Sequence, residues 1–351
     1  MTQTRWDSAT DDLLVAFQNA GADWFETGIL QPADVLLDLY GEDIRARAFV
    51  TQDLVQGELM LRPDFTVPVV QAHLASGQGA ARYRYAGQVF RQQTDDSDRP
   101  SEYTQIGFED FGATDTAAAD AEVFALFSAA LKPAGLTAAT GDIGLLRGAV
   151  AGLQTTDLRK AALMRHLWRP RRFRALLDRF AKPVPKRALE LCDDAPEIGL
   201  RSRADVSARL ARLAEEAETP PIPAGQVELI TTLLAIKETS TNALSHIRDL
   251  AVDMATIRDA VTRFDARLGA LASRGIEPDA LGFEASYGRT SMEYYDGFVF
   301  GFYAEGRPDL PPVATGGRYD ALTRALGGDS APAAVGGVIR PGLIAELGGA
   351  P

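Results

Sequence analysis

The side chains best suited to chemistry in this sequence are grouped acceptors and hydroxyls, not nucleophiles or clustered metal ligands. Gln105 and Glu109 stand four apart in Thr104-Gln105-Ile106-Gly107-Phe108-Glu109-Asp110-Phe111. That stretch alternates, with Ile106, Phe108 and Asp110 on one face and Gln105, Gly107, Glu109 and Phe111 on the other, so it reads as a strand. Side chains four apart on a strand point the same way. A Glu and a Gln so placed form an acceptor-rich platform, able to hold an ammonium or an imidazole N–H.

Other stretches also set polar side chains or glycines among apolar neighbours. They are Arg62-Pro63-Asp64-Phe65-Thr66, Arg91 with the loop after it, Tyr294-Tyr295, and Gly316-Gly317-Arg318-Tyr319-Asp320. Each alone fits an ordinary structural role. Asp64 suits a turn or a helix N-cap. Gln105 and Glu109 suit the solvated face of a strand. Tyr294 and Tyr295 suit a core with one hydrogen-bonded hydroxyl. The Gly-Gly stretch reads as a turn, outside the strand–loop–helix context of a phosphate cradle.

The elements that must position these residues follow from periodicity. Arg82 to Phe90 alternates around Tyr83, Tyr85 and Val89, and Gln92 to Pro100 has no large apolar residue. With the Thr104 strand this predicts a hairpin on an unusually long loop. Upstream, Asp11 to Asn19 reads as a helix and Trp24 to Pro32 as an edge strand ending at proline. Val35 to Tyr40 reads as a short helix, and Arg47 to Thr51 pairs with Leu59 to Arg62. A turn follows at Pro63 to Thr66, then a helix from Val67 to Ala75. Downstream, Ala117 to Lys132 is a helix with Val123, Phe124 and Phe127 on one stripe. Leu136 to Ile143 reads as a strand and Leu145 to Leu153 as a helix.

Composition shifts at Thr155. From there to Arg274 nothing reads as strand, and helices are expected at Leu158–Leu167, Arg171–Phe180, Lys186–Cys192, Ala204–Glu218, Gly225–Glu238, Thr241–Asp253 and Met254–Ser273. Strand signal returns at Phe283 and in an aromatic run from Tyr294 to Tyr303. A helix at Ala321–Leu326 and a strand-to-helix junction around Gly336 to Arg340 end the pattern. Strands on both sides of a helical block predict an α+β fold: residues 1–154 and 275–351 form one sheet-bearing core, and 155–274 is an all-helical insertion.

Composition narrows the function. The 351 residues are 46% hydrophobic and carry a net charge of −12, which argues against a nonspecific nucleic-acid binder. A single cysteine, Cys192, excludes a disulfide framework and a Cys-based zinc site. His73, His166 and His246 lack metal-like spacing, so no metal and no cofactor is expected. Met1 to Thr10 has no apolar signal-peptide core, and no apolar run approaches the roughly 18 residues of a membrane span. A cytoplasmic protein is expected. Between Arg159 and Arg187 lie eleven Lys or Arg and one acidic residue, Asp178. That run suits a solvated helical face, or less simply a docking surface for an acidic partner or its phosphate-rich substrates.

Taken together and in order, these stretches resemble the catalytic domain of class II aminoacyl-tRNA synthetases, and among them histidyl-tRNA synthetase. The resemblance runs from about Asp12 to Gly342. Trp24 to Pro32 is similar to the family's motif 1, which forms the dimer interface. Leu61 to Thr66 is similar to its Leu-Arg-Pro-Glu-Gly-Thr, and Phe90-Arg91 with Arg99 to Glu109 to its motif 2. The Tyr-Tyr and Gly-Gly-Arg-Tyr-Asp segments match at Tyr294 and Gly316. The resemblance implies an antiparallel sheet flanked by helices and a histidine pocket. In it Asp64, Thr66 and Gln105 would receive the α-ammonium. Glu109 and Tyr295 would receive the imidazole nitrogens, Tyr294 would line the pocket, and Arg91 would face the carboxylate.

The departures concern ATP. Motif 2 of the synthetase carries Arg-x-Glu, where this chain has Arg91-Gln92-Gln93. An Arg-Gly-Leu-Asp segment precedes the synthetase's Tyr-Tyr, where this chain has Thr290 to Glu293, with Arg289 one position early. In motif 3 the late Arg is replaced by Leu343, and Arg340 stands where Gly lets ATP approach. Loss of such cations raises the barrier to adenylate formation by several kcal/mol, on the order of 3 each. With 11 residues after Arg340 in this sequence, no anticodon-binding domain is expected.

A histidine pocket with degraded ATP groups is similar to the regulatory subunit of ATP phosphoribosyltransferase. That family implies a noncatalytic, dimerising chain that activates a short-form catalytic subunit and supports histidine feedback inhibition in the first step of histidine biosynthesis. Two alternatives stand beside it: a truncated, divergent histidyl-tRNA synthetase or other histidine-activating ligase, and a stand-alone amino-acid sensor.

Overall fold

The long hairpin forms as its alternation predicts. Ala81–Phe90 pairs antiparallel with Glu102–Phe111 along its whole length. The structure, a computed structural model, describes residues 8–33, 46–93, 99–185, 199–289 and 294–348. The helices expected at Val35 to Tyr40 and Lys186 to Cys192, the segment Thr290 to Glu293 and the middle of the hairpin loop lie outside those residues.

In chain order, helix α1 (Ser8–Asn19) is followed by strands β1 (Asp23–Trp24) and β2 (Leu30–Pro32). The expected single strand from Trp24 to Pro32 is thus two strands in two sheets. β1 runs parallel to the hairpin's first strand at Tyr83 and Arg84. β2 joins β3 (Val50–Asp53) and β4 (Gly57–Leu61) in a three-stranded sheet. The chain turns between them because Gln31 Nε2 bonds back to the Gly28 carbonyl at 2.7 Å and Arg62 Nη1 holds the Thr27 carbonyl at 2.7 Å. The β3–β4 pairing agrees with expectation, but the first strand starts at Val50, not Arg47.

Helix α2 (Thr66–Ser76) leads into the hairpin strands β5 and β6. Helix α3 (Thr116–Leu131) is capped by Asp115, whose carboxylate accepts from Ala118 N at 3.0 Å, and buries Val123, Phe124 and Phe127. Strand β7 (Thr137–Asp142) and helix α4 (Ile143–Ala151) follow. Next come α5 (Asp157–Arg165), α6 (Pro170–Phe180), α7 (Arg203–Glu218) and α8 (Ala224–Ala235).

The stretch expected to hold no strand contains one, β8 (Lys237–Thr239), at the edge of the main sheet beside β9 (Gly282–Glu284). Its three polar residues carry no pattern of their own; long-range pairing makes the strand. Helices α9 (Ser240–Asp253) and α10 (Arg258–Ala272) then pack back on the core. One apolar core runs from Phe17 and Phe108 through Phe124 to Leu163, Phe173 and Phe264.

β10 covers Phe298–Tyr303, not the whole run from Tyr294. Asp296 N bonds to Arg318 O at 3.0 Å and Ile143 N to Gly297 O at 2.9 Å, so the chain enters the strand only after Gly297. Tyr294 and Tyr295 are left above the sheet. The Gly316 stretch is a strand too, not a turn: β11 spans Ala314–Arg318. Helix α11 (Asp320–Gly327), β12 (Ala334–Ile339) and α12 (Pro341–Glu346) close the order. The main sheet runs β1-β5-β6-β12-β11-β10-β7-β9-β8, antiparallel except at β1–β5 and β7–β9. This is the expected α+β class, a mostly antiparallel sheet flanked by helices.

Candidate functional site: an acceptor-lined pocket on the sheet

Strand pairing builds the pocket floor. β6 presents Gln105, Gly107 and Glu109 upward. Gly107 lies opposite Tyr85 and Val338, and Glu109 lies opposite Tyr83 and Gly336. Both glycines are required by close approach. A Cβ on Gly107 would fall 2.0 Å from the Tyr85 ring, and one on Gly336 would fall 1.6 Å from Glu109 Oε2. The missing side chains let Tyr85 lie across its own sheet and let the Glu109 carboxylate lie over β12.

Glu109 is fully buried and held by three hydroxyls. Thr66 Oγ1 donates to Oε1 at 3.0 Å, Tyr85 OH to Oε1 at 2.9 Å, and Tyr319 OH to Oε2 at 2.6 Å. A carboxylate offers about four acceptor directions, so one remains for a donor from outside. Burial pushes the Glu109 pKa up to about 7, against the three hydroxyls that favour the anion. A nearby cation or N–H donor would restore the charged form.

The remaining walls come from elsewhere in the chain. The same pocket is lined by Asp64, Thr66, Arg91, Gln105, Tyr294 and Tyr295, and also by Thr315, Tyr319, Gly336, Val338 and Arg340. Its free space is about 350 Å³ when the open solvent in front of it is counted. The structure therefore brings together all seven residues singled out from sequence. Gln105 Oε1 is buried and receives no hydrogen bond, which marks a place for a donor. Asp64 Oδ2, on the wall of the same pocket, lies 3.9 Å from Arg91 Nη2. Arg91 Nε is fixed on the Pro63 carbonyl at 2.8 Å. Tyr294 and Tyr295 meet edge to face at 5.0 Å between ring centroids, and Tyr294 meets Tyr319 at 6.0 Å.

Arg62, in the same motif as Asp64, is not part of the wall. It donates to the Gln88 carbonyl at 2.8 Å and lies over the Phe65 ring at 4.0 Å, so it staples the Asp64 turn to β5.

Three polar lining residues were missed from sequence. Tyr319, Thr315 and Arg340 escaped because the Gly316 stretch reads as a turn and Arg340 reads only as an obstacle to ATP. The signal was period-2 alternation: Thr315 and Gly317 share one face of β11 with Tyr319 just beyond it, as Gly336 and Val338 share one face of β12 with Arg340 just beyond it.

Arg289 answers the question of register. It does not enter the pocket. Its Nε donates to the Leu167 carbonyl at 2.8 Å and its guanidinium lies 4.8 Å over the Phe173 ring, buried against the α5–α6 region. Gln93, which stands where the synthetase motif has Glu, accepts from Arg47 Nη2 at 3.2 Å and donates to the Arg91 carbonyl at 3.2 Å. Among the described residues, no group of His, Cys, Asp and Glu is arranged to hold a metal ion, and no helix is long and apolar enough to cross a membrane.

A buried ionic network joins the pocket to α10. Arg318 Nε holds Asp120 Oδ1 at 2.8 Å, and Arg267 Nη1 approaches Asp120 Oδ2 at 3.3 Å. Arg267 Nη2 also binds Asp142 at 2.9 Å, and Arg318 Nη1 binds Asp320 at 3.0 Å. Arg318 precedes Tyr319, so the network fixes the residue that donates to Glu109.

Fold and pocket define the class as histidyl-tRNA synthetase-like. A sequence profile of the family described as Histidyl-tRNA synthetase matches residues 2–219 and 200–340. A histidyl-tRNA synthetase from Nostoc sp. PCC 7120 superposes over 99% of this chain and 76% of its own, with a TM-score of 0.65 at 15% identity. An ATP phosphoribosyltransferase regulatory subunit/histidyl-tRNA synthetase from Bacillus halodurans C superposes over 99% of this chain and 81% of its own, with a TM-score of 0.71 at 22% identity.

Sequence relatives are more specific. An ATP phosphoribosyltransferase regulatory subunit of Sinorhizobium fredii is 32% identical, covering 93% of this chain and 92% of that protein. One from Brucella canis is 31% identical over 96% of each. The chain belongs to the ATP phosphoribosyltransferase regulatory subunit family.

Proposed function

We propose that this chain is a noncatalytic regulatory subunit that binds free histidine in the pocket around Glu109. It activates a short-form ATP phosphoribosyltransferase catalytic subunit and makes that subunit responsive to histidine, at the first step of histidine biosynthesis. The observation that carries the reading is the pairing of one open acceptor direction on Glu109 with the unsatisfied Gln105 Oε1. Histidine offers ring N–H groups at one end and an ammonium at the other, and Asp64 adds charge at the second end. Arg91 faces the carboxylate, Thr66 anchors Glu109, and Tyr294 and Tyr295 close the sides.

Against a histidine-activating ligase stands Arg289, turned away to Leu167. Phosphoryl chemistry needs cations aimed at the phosphates. The same reading makes the protein cytosolic, with neither nucleic acid nor membrane as partner. The test has two arms. The pure chain gives no histidine-dependent ATP–pyrophosphate exchange, and it raises the activity of a short catalytic subunit in a way that histidine reverses. Exchange by the pure chain would move the conclusion to a synthetase.

Self-association through the motif-1-like region is part of this reading. Trp24, Ile29, Leu30 and Val50 are exposed there, and Leu54 and Val55 stand fully exposed at the β3–β4 turn. Exposed apolar side chains on the motif-1-like segment and the neighbouring hairpin fit a second copy of the chain. Leu54→Asp with Val55→Asp is expected to shift the chain from dimer to monomer in analytical ultracentrifugation. An unchanged sedimentation profile would remove this turn from the interface.

A further inference from the structure

We propose that Arg340, acting beside Arg91, reads the ligand's free carboxylate and makes the pocket selective for the free amino acid over its decarboxylated or reduced counterparts. This rests on the histidine reading and deepens it.

Three observations carry the inference. The first is position. β12 pairs Val338 with Gly107 and Ile339 with Ile106, so the next residue, Arg340, comes level with Gln105. Alternation puts it on the pocket face with Gly336 and Val338, and it lines the pocket with Arg91. Gln105 marks the ammonium end. The ammonium and carboxylate of an amino acid share one carbon, so the carboxylate must lie beside Gln105, where the two guanidiniums are.

The second observation is partnership. Among the described residues, the polar contacts of Arg340 are neutral: the Pro312 carbonyl, 2.6 Å from Nη1, and the Tyr103 hydroxyl. Burial pulls its pKa down, and Arg91 adds to that while Tyr103 opposes it. Arg91 has the Asp64 carboxylate 3.9 Å away, so Arg340 is the desolvated cation of the two whose contacts are neutral, and an arriving anion stabilises it. The planar guanidinium, braced on Pro312, keeps N–H donors for a carboxylate.

The third observation is the absence of a rival. Arg289 is held on Leu167 and Phe173, outside the pocket. Arg91 and Arg340 are the two cations among the described residues that line it.

The experiment titrates wild type, Arg340→Gln and Arg340→Lys with histidine, histidinol and histamine by calorimetry, with thermal melts as a check on folding. Wild type is expected to prefer histidine over both analogues by about 10-fold or more, the range of a charge-assisted hydrogen bond. In Arg340→Gln histidine binding falls by about 10-fold while histidinol and histamine stay within about 2-fold, so the preference disappears. Arg340→Lys recovers part of it. Equal weakening of all three ligands in Arg340→Gln would make Arg340 a structural brace and overturn the inference, as would undiminished histidine binding. ATP is the other anion that two cations could take. An Arg340-dependent ATP signal would make the pair a phosphate seat, again overturning it. If wild type bound none of the three ligands, the histidine reading itself would fail and take this inference with it.

Discussion

Glu109→Gln is expected to weaken histidine binding by about 10- to 100-fold, the range for losing a hydrogen bond to a charged group. The empty protein should be no less stable above neutral pH. The reason lies in what Glu109 does without a ligand. Its carboxyl titrates near 7 in the folded chain against 4.5 as the ordinary value, because burial outweighs the three hydroxyls. The folded state therefore binds more protons than the unfolded state between pH 4.5 and 7. Stability from this group is highest below that window, falls as pH rises through it, and stays low above it. The difference of about 2.5 units corresponds to at most about 3 kcal/mol at pH 8. Gln has no charge to desolvate. Denaturant melts at pH 5 and pH 8 should show the variant gaining on wild type as pH rises. A variant that lost more stability at pH 8 than at pH 5 would show that Glu109 serves packing, not binding.

Asp120→Ala is expected to destabilise the protein by about 3–5 kcal/mol, the usual consequence of removing one partner from a buried ion network. For a chain of this length that is a fall in Tm of roughly 4–7 °C. Asp120 is buried between Arg318 and Arg267, and its removal leaves both cations without their shared acid. Arg267 keeps Asp142, and Arg318 keeps Asp320, so the fold should survive. A fall under about 1 kcal/mol would mean that water reaches the site in solution. Since Arg318 precedes Tyr319, Asp120→Ala should also weaken histidine binding, in proportion to the loss of the Tyr319–Glu109 contact.

Much of the fold was legible because the hairpin and the larger helices carry strong period-2 or period-3.6 patterns. Gln105 and Glu109 could be assigned to one face from spacing alone. Asp64, Thr66, Arg91, Tyr294 and Tyr295 could not; the resemblance to a family supplied them, and the fold then set all seven around one pocket. What was hidden depended on contacts between distant segments. β8 exists through its pairing with Gly282–Glu284. The break between Trp24 and Pro32 depends on Arg62 reaching Thr27. β11 looked like a turn because Gly316 and Gly317 usually mark one. Here they are small because a Cβ on Gly316 would meet the Phe300 ring and one on Gly317 the Phe298 carbonyl and the Tyr295 ring. That misreading hid Tyr319, whose hydroxyl makes the shortest bond to Glu109.

A regulator must bind its effector differently when its partner is present, since equal affinity in both states shifts nothing. The most direct measurement is therefore calorimetric titration of histidine into this chain, alone and in complex with a short-form catalytic subunit. The account predicts one histidine per chain, a dissociation constant that changes by several-fold on adding the catalytic subunit, typically about 5-fold or more, and binding weakened about 10- to 100-fold in Glu109→Gln under the same conditions. Absence of heat in both titrations, or identical affinity with and without the partner, would contradict it.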